Sequence, residues 1–386
     1  MALKAVPVSQ VPYIDQFHEN NALCKYIGED GEDDVGERRK MATFILKENK
    51  FVVMGHRGSG MNLLQSCDRR SKAIKENTLR SFNEAAKFNV DFIEFDVQVT
   101  RDGHPVIFHD IFILTQEEGK LIEKRVTDLT LEEFLSYGPQ NASTNVEKPL
   151  FRKTKDGRIF EWKVDEDDRF CTLEDVFENA SQSVGFNIEF KFDDNTSYKE
   201  EELVGVILAV LQVVFKHAKG RCIMFSSFQP DAAQLIRKQQ TTYTVFFLTN
   251  GGSEIYSDMR RNSLDEAIKL CLEGDLQGIV SEVKAILRNP TMIAKIKESK
   301  LSILTYGQLN NEQEVVHLQY MMGVEGVIVD FVKEITLAVS QFSKPVYAGK
   351  EGLSLLEKRL LAEKRTPCSD DELSYFRRLV PELIHS

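Results

Sequence analysis

The stretch Asp91-Phe-Ile-Glu-Phe-Asp-Val-Gln-Val-Thr100 alternates apolar and polar side chains, a pattern that predicts a β-strand. On such a strand Glu94 and Asp96 share one face about 7 Å apart, while the apolar residues share the other face. The run Pro105–Phe108 follows closely, and Asp102-Gly103 between the two runs is a hairpin turn signal. A parallel crossover takes about a dozen residues. We therefore expect Pro105–Phe108 to pair antiparallel with the first run.

Seven more short runs of β-branched and aromatic residues lie along the chain, and helix-length segments separate most of them. Strands that alternate with helices imply a parallel sheet. Eight or nine such strands favour a closed (β/α)8 barrel over an open doubly wound sheet. The further strands are expected at Phe51–Gly55, Gly185–Phe190, Cys222–Phe225, Tyr243–Leu248, Gly278–Val280, Leu301–Leu304 and Gly326–Val329. Capping-box spacings predict helix starts at Thr130 with Glu133, Thr172 with Asp175 and Ser263 with Glu266.

The domain organisation follows from where this pattern begins and breaks. Residues 1–49 lack clear periodicity and predict a loosely packed N-terminal extension. The barrel is expected over residues 50–345, interrupted at about 111–170 by a small, charged insertion with one helix near Thr130–Tyr137. Leucines at helical spacing predict a helical C-terminal tail over residues 346–386.

Composition narrows the possible partners. The chain carries 49 Lys and Arg against 60 Asp and Glu, a net charge of −11, so no overall field favours nucleic acid or an anionic membrane. Its most apolar run, Leu203–Phe215, is shorter than the ~20 residues of a membrane-spanning helix, and we expect no transmembrane segment. The six cysteines are far apart in sequence, and the N-terminus lacks a signal-peptide pattern. A reduced, cytoplasmic protein is predicted.

A second strand repeats the charged pattern of the first. In Asn187-Ile-Glu-Phe-Lys191, Glu189 and Lys191 share a face. If both strands are central, Glu94, Asp96 and Glu189 point into the barrel, where unpaired carboxylates are costly to bury. Three carboxylates without His or Cys form a hard oxygen site, which suits one divalent cation, Mg²⁺ or Ca²⁺. The alternative is a structural network of lysine and acids.

Two histidines follow strands in the same manner. His56 comes directly after the first strand, and His109 comes directly after Pro105–Phe108. Strand ends of a barrel are where catalytic side chains lie, and a His pair can act as general base and general acid. Three carboxylates, one divalent ion, Arg57 and Lys191 sum to about +1, which matches the single negative charge of a phosphodiester. These residues favour hydrolysis of a phosphate ester.

At these residues the sequence resembles the glycerophosphodiester phosphodiesterase family, most closely its soluble plant members, from about Phe51 to Val332. The matching motifs are Gly55-His-Arg-Gly58, Glu76-Asn-Thr78, Glu94-Phe-Asp-Val97, Asp102-Gly-His-Pro-Val106 leading to His109-Asp110, Thr172-Leu-Glu174, Asn187-Ile-Glu189, Ser226-Ser-Phe228 and Gly323-Val-Glu-Gly-Val-Ile-Val-Asp330. The resemblance implies an α/β fold, a (β/α)8 TIM barrel of the phospholipase C-like phosphodiesterase type. It also implies hydrolysis of glycerophosphodiesters, such as those of choline and ethanolamine, to sn-glycerol 3-phosphate and the free alcohol.

The family pattern also implies roles for single residues. Glu94, Asp96 and Glu189 would hold the cation, His56 and His109 would be the acid–base pair, and Arg57 and Lys191 would hold the phosphate. The family usually has a tryptophan against the glycerol moiety, where this chain has Thr305-Tyr306-Gly307. Tyr306, with Phe228 as its apolar counterpart, is expected to replace that tryptophan, whereas Trp162 lies in the insertion. Lys72 and Lys75 are expected to be solvated rather than to touch phosphate.

Two other functions stay open at this point. One is hydrolysis of lysophospholipids at the same site, the activity of a lysophospholipase D, and the other is a non-catalytic regulatory barrel. The intact acids and histidines argue against the second alternative. Some plant relatives are plastidial, so a plastid is the alternative location. The sequence leaves the oligomeric state open.

Overall fold

The computed structural model describes residues 50–139, 148–154 and 156–342. Thirteen strands lie within these ranges, and all nine strands expected from the sequence are among them. They are β1 (Val52–Gly55), β2 (Phe92–Val99), β3 (Pro105–Ile107), β4 (Phe112–Glu117), β5 (Lys120–Arg125), β6 (Leu150–Lys153), β7 (Ile159–Glu161), β8 (Gly185–Phe190), β9 (Ile223–Ser227), β10 (Thr244–Thr249), β11 (Gly278–Glu282), β12 (Ser302–Tyr306) and β13 (Gly326–Val329).

Eight parallel strands close into a barrel, as the sequence predicts. The large sheet runs β1-β13-β12-β11-β10-β9-β8-β2-β3, and an additional β1–β2 pairing closes it. Strand β3 is antiparallel to β2, with Val97 opposite Ile107, so the expected hairpin arm is confirmed. The turn between them has Gly103 at φ +85°, a left-handed conformation that favours glycine. Asp96 lies opposite Glu189 in the β2–β8 register.

Helices surround the barrel. They are α1 (Leu79–Ala85), α2 (Leu131–Leu135), α3 (Leu173–Asn179), α4 (Glu200–His217), α5 (Pro230–Gln239), α6 (Leu264–Glu273), α7 (Val283–Arg288), α8 (Thr291–Glu298), α9 (Gln313–Met322) and α10 (Val332–Phe342). Reciprocal capping boxes start α2 at Thr130 and α3 at Thr172. At Ser263 the side chain accepts the Glu266 N–H and caps α6. None of the helices among the described residues is long and apolar enough to cross a membrane.

A different apolar cluster packs on each of the two faces of the barrel strands. On β2, Ile93 and Phe95 point outward into the large core between strands and helices. The interior is filled by a second cluster that includes Met54, Phe92 and Phe246, all nearly fully buried. Because apolar side chains fill the interior, the polar side chains of the strands lie at the carboxyl-end mouth of the barrel. TIM barrels carry their active sites at this end.

A second sheet, ordered β5-β4-β6-β7, covers one side of that mouth. It packs on its own core around Phe108, Phe134 and Trp162. The expected helix near Thr130–Tyr137 is present as α2, but the four strands were not expected. The charged residues of these strands are half-exposed or exposed, so the strands lack the alternation of apolar and polar residues that predicts a half-buried strand. The expected domain boundaries stay predictions, and the extension at 1–49 and the tail at 346–386 lie outside the described residues.

Candidate active site

Three carboxylates meet inside the mouth of the barrel. Glu94 and Asp96 on β2 and Glu189 on β8 are all buried, and one oxygen from each lies within 4.8 Å of the others. The Oε2 atom of Glu94 accepts the Arg57 N–H at 2.9 Å, while its Oε1 atom has no hydrogen-bond partner. A buried, unpartnered carboxylate oxygen among two further carboxylates fits a hard divalent cation. The three residues that the sequence analysis selected are therefore brought together.

The electrostatics of the trio depend on how each acid is paired. Burial, together with the charge of Asp96, raises the pKa of Glu94 to about 8. Burial also favours protonation of Asp96, but His109, Arg57 and Lys191 outweigh it and lower the pKa of Asp96 to about 2. The pKa of Glu189 is raised, mainly by burial. Without a cation, the trio therefore holds a proton near neutral pH, and a bound cation would displace it.

Arg57 and Lys191 supply positive charge beside the acids. Arg57 adopts a left-handed φ of +49° after β1, and its Nε lies 3.5 Å from Asp96 Oδ2. Lys191 Nζ lies 2.7 Å from Glu189 Oε1 and 3.6 Å from Asp96 Oδ1. Both cations also line the same cavity. An anion above the carboxylates would meet two positive side chains, as the sequence predicts.

His56 is held by an acid from the last strand. Its Nδ1 lies 2.8 Å from Oδ1 of Asp330, the residue directly after β13. Asp330 also accepts the Met61 N–H and the amide of Asn311, so its carboxylate is fixed. Burial lowers the pKa of His56, Asp330 raises it, and the net pKa lies above the ordinary value. With Nδ1 occupied by the carboxylate, Nε2 is the ring nitrogen left to act on a substrate.

His109 has a comparable arrangement. Its Nδ1 lies 2.7 Å from Asp110 Oδ1, and Asp110 Oδ2 accepts Nε–H of Arg152 at 2.9 Å. Burial, together with Arg57 and Lys191, lowers the pKa of His109 to about 4. The ligand-free imidazole is thus neutral at pH 7. A phosphodiester anion beside the two cations would oppose their effect and raise the pKa of His109.

Arg152 links this histidine to Arg57, a link that the sequence analysis missed. Its guanidinium donates to both oxygens of Glu76 at 2.8 and 3.0 Å, and Glu76 accepts from Arg57 at 2.7 Å. Trp162 packs against the guanidinium of Arg152, 3.9 Å from ring centroid to Cζ. Arg152 belongs to β6 of the second sheet, so the insertion supplies a residue that orders the site.

Two aromatic residues, Phe228 and Tyr306, line the same cavity. Phe228 follows β9 and Tyr306 ends β12, and their rings meet edge to face with centroids 5.8 Å apart. The Tyr306 hydroxyl hydrogen-bonds to the side chain of Asn250. The cavity encloses about 690 Å³, enough for a small organic phosphodiester. It is lined by His56, His109, Arg57, Glu94, Glu189 and Lys191 as well as by both rings.

Comparison with known proteins agrees with this geometry. Residues 56–334 match the sequence profile of the glycerophosphoryl diester phosphodiesterase family. The chain belongs to this family. Glycerophosphodiester phosphodiesterase GDPD3 of Arabidopsis thaliana is 61% identical over 338 residues, which cover 87% of this chain and 91% of the relative. Glycerophosphodiester phosphodiesterase GDPD1, chloroplastic, of the same plant is 54% identical over 385 residues, which cover 100% of this chain and 99% of the relative.

A solved structure supports the fold. A phosphodiesterase of Oleispira antarctica, in complex with the product sn-glycerol-3-phosphate, superposes with a TM-score of 0.54 at 21% identity. The match covers 76% of this chain and 99% of that one. The chain is thus an enzyme of the phosphodiesterase family with a TIM-barrel fold.

Lys72 and Lys75, near the family motif Glu76-Asn-Thr78, were both expected to be solvated. Lys75 is 1% exposed, and its Nζ lies 2.6 Å from Asp167, so the expectation of a solvated side chain was wrong. Burial lowers the pKa of Lys75 despite Asp167. Lys72 donates to the Ser66 carbonyl. Neither lysine lines the cavity. Trp162 also lies outside it, as its place in the insertion suggested.

Proposed function

We propose that this chain hydrolyses glycerophosphodiesters, including those of choline and ethanolamine, to sn-glycerol 3-phosphate and the free alcohol. The observation that carries the proposal is the meeting of three buried carboxylates with two imidazoles, each oriented by an aspartate, around one cavity. In this proposal Glu94, Asp96 and Glu189 hold one divalent cation, Mg²⁺ or Ca²⁺. The cation would supply positive charge that polarises the bound hydroxyl and phosphoryl oxygens.

Binding of the phosphate follows from the charges around it. The three carboxylates, a divalent ion, Arg57 and Lys191 sum to +1, which is complementary to a phosphodiester monoanion. Arg57 is rigid because Glu76 holds its guanidinium and Glu94 holds its backbone N–H. Phe228 and Tyr306 offer an apolar wall for the carbon skeleton of the glycerol moiety. The substrate is thereby oriented before any bond changes.

The histidines then move the protons. In the first step an oxygen of the glycerol moiety attacks phosphorus, the bond from phosphorus to the alcohol oxygen breaks, and a cyclic phosphate forms. One imidazole accepts the proton of the attacking hydroxyl, and the other donates a proton to the leaving oxygen. In the second step water opens the cyclic phosphate with these proton transfers reversed. Asp330 and Asp110 hydrogen-bond to Nδ1 of the two rings and so orient each ring with Nε2 available for these transfers.

The test replaces the histidines one at a time. His56→Ala and His109→Ala are expected to lower kcat by at least about 100-fold, the size of general acid–base contributions, while the circular dichroism spectrum stays unchanged. His104→Ala is the matched control, because His104 is exposed in the β2–β3 turn and lines neither the site nor its cavity. Unchanged turnover in both site variants would refute the roles given to the histidines.

A substrate and cation panel tests the rest of the proposal. Release of the free alcohol is measured from several glycerophosphodiesters and from lysophospholipids after chelation and again with Mg²⁺ or Ca²⁺, because the same cleavage leaves glycerol 3-phosphate from the former and lysophosphatidic acid from the latter. We expect glycerophosphodiesters to be hydrolysed, EDTA to abolish the activity and a divalent cation to restore it. Full activity in the cation-free protein would contradict the cation site. Preferred release from lysophospholipids would instead support the lysophospholipase D alternative, and no release at all would support a non-catalytic barrel.

The location of the protein is a separate proposal. The cytoplasmic location expected from the sequence stays a prediction. The plastid alternative is supported by the relative named chloroplastic, which aligns over the whole length of this chain. A fluorescent protein fused to the C-terminus of the full chain, imaged in leaf cells, distinguishes a diffuse cytoplasmic signal from a plastid signal.

A further inference from the structure

Helices α3 and α4 bring a second set of metal-binding side chains together on the outside of the barrel. Glu174 and Glu178 of α3 and His217 of α4 each offer one ligand atom, and these three atoms lie within 4.8 Å of one another. We call these residues the α3–α4 cluster. Among the described residues, the only other group of this kind is the carboxylate trio at the barrel mouth. Glu174 ends the motif Thr172-Leu-Glu174, to which the proposed function gives no role.

Helical periodicity places the three side chains beside one another. Glu174 and Glu178 lie one turn apart on α3, so they share a face of that helix, and both are exposed. On α4, Val210 and Val214 are buried, and His217 follows them at the same helical spacing. The last residue of α4 therefore continues the buried face of this helix, and its ring lies against the two acids of α3.

The burial of His217 separates this cluster from ordinary surface acids. Its side chain is 10% exposed. Its Nε2 lies 3.0 Å from Oε1 of Glu174 in a geometry that makes no hydrogen bond, and this buried nitrogen has no hydrogen-bond partner within the described part of the chain. Its Nδ1 lies 3.9 Å from Oε1 of Glu178. Because a buried polar atom without a partner is costly, a cation bound at Nε2 would relieve that cost.

The donor atoms indicate which cation fits the cluster. Zn²⁺ binds imidazole nitrogen and carboxylate oxygen, and three protein ligands leave one position of its tetrahedral shell for water. Mg²⁺ and Ca²⁺ are instead bound by oxygen ligands. Two carboxylates, a neutral imidazole and Zn²⁺ sum to zero charge, so the occupied cluster carries no net charge. The α3–α4 cluster therefore suits zinc, in contrast to the all-oxygen trio at the barrel mouth.

Lys216 competes with a cation for one of these ligands. Its Nζ lies 3.4 Å from Oε1 of Glu174, and its side chain is 69% exposed. An exposed ion pair of this kind contributes little to stability, so the long lysine side chain is free to move into water when a cation binds. Lys216 is thus expected to weaken zinc binding without blocking it.

We propose that the α3–α4 cluster is a Zn²⁺ site, formed by Glu174, Glu178 and Nε2 of His217 and separate from the catalytic centre. Strand β8, which carries Glu189, lies between α3 and α4 in the chain, so bound zinc would join the helices that precede and follow this strand. None of the three ligands lines the larger cavity, and the inference does not depend on the proposed function. A cation that binds only the folded chain raises its Tm.

The first measurement is the Zn²⁺ affinity of the full chain, by isothermal titration calorimetry. All proteins carry Glu94→Gln, which removes one catalytic carboxylate and so weakens competing zinc binding at the barrel mouth. Adding His217→Gln is expected to weaken zinc binding at least about tenfold, because loss of even an outer-sphere partner of a metal site typically costs about 10- to 100-fold. Adding Glu178→Gln, at an exposed position, is expected to have a similar effect. Adding Lys216→Met is expected to strengthen binding by up to about fivefold.

The second measurement is the Tm of the same proteins with and without Zn²⁺. Zinc is expected to raise the Tm of Glu94→Gln and to lose this effect when His217→Gln or Glu178→Gln is added. His104→Gln is the matched control, because His104 is exposed and lies outside both clusters, and it should leave the zinc effect unchanged. In the otherwise wild-type chain, His217→Gln should leave kcat unchanged.

Two results would overturn the zinc site. One is equal zinc affinity with and without the His217→Gln and Glu178→Gln substitutions. The other is a fall in Tm that is the same in the presence and absence of zinc, because that is the behaviour of an ion pair between His217 and the two acids. Glu178→Gln keeps the test decisive if His217→Gln fails to fold, since the Glu178 side chain is 55% exposed.

Discussion

Replacing Arg152 by methionine is expected to weaken both the fold and the catalytic site. The side chain of Arg152 is 14% exposed and donates to Glu76 and Asp110 through three charge-assisted hydrogen bonds of 2.8 to 3.0 Å. Methionine keeps the apolar contact with Trp162 but removes all three bonds. Glu76, which is 1% exposed, would keep Arg57 as its remaining cationic partner.

The size of the effect follows from that geometry. Removing one partner of a buried ion pair costs about 3–5 kcal/mol. Because Arg57 still pairs with Glu76 and the Asp110 side chain is 30% exposed, we take the lower end, about 3 kcal/mol. For a domain of this size that corresponds to a fall in Tm of roughly 6–12 °C. Loss of the restraint on His109 and Arg57 is expected to lower kcat about 10- to 100-fold, with a smaller change in KM.

Thermal unfolding by circular dichroism and steady-state kinetics below the lower Tm measure the two effects separately. Arg158→Met is the matched control, because Arg158 directly precedes β7 of the same sheet and its pair with Asp156 is exposed. That variant is expected to change stability by less than about 1 kcal/mol. Arg152→Lys should fall between wild type and Arg152→Met, since an ammonium cannot form the forked bonds of a guanidinium. If Arg152→Met matches wild type in Tm and kcat, the network does not organise the site.

Two further predictions concern charge and packing. Burial raises the pKa of Glu94 to about 8, so the carboxyl group loses its proton more readily in the unfolded chain than in the folded one. The free energy of unfolding of the cation-free protein therefore falls as pH rises from about 4.5 toward 8. Glu94→Gln should therefore raise the Tm of the cation-free protein at pH 8. Only the wild type should gain Tm when Mg²⁺ or Ca²⁺ is added, and its gain should be larger at higher pH. A melting series in which Glu94→Gln lowers the Tm at pH 8, or in which the cation effect shrinks as pH rises, would contradict the raised pKa. A Cβ at Gly278 would lie 2.3 Å from the Phe246 ring, so Gly278→Ala should lose about 1–3 kcal/mol in urea unfolding. Gly205→Ala, with no atom within 4 Å of the added Cβ, should lose nothing.

The barrel was predictable because its strands carry their own signal. In Phe92–Val99 the alternation alone separates Glu94 from Ile93, and the structure places them on opposite faces. The β2–β3 hairpin was predictable from Asp102-Gly103, since few dipeptides favour the required turn. The same local reasoning located Glu189 on β8. These features depend on neighbours within a few residues.

The inserted sheet and its contribution to the site depend on distant partners. In Leu150-Phe-Arg-Lys153 nothing local distinguishes Arg152, which is buried against Glu76, from Lys153, which is exposed. Lys75 was misjudged for the same reason, because its burial depends on Asp167, far along the chain. Tertiary contacts of this kind override the usual preference of lysine and arginine for solvent.

The pair of His56 and Asp330 joins residues 274 positions apart across the contact between β1 and β13. Every other barrel strand lies between them in sequence, so no partially folded fragment that lacks either end of the barrel contains both members of the pair. The rate at which enzymatic activity recovers after dilution from denaturant would therefore report how fast the first and last strands come together. Spectroscopic recovery of helix, by contrast, would report earlier events in refolding.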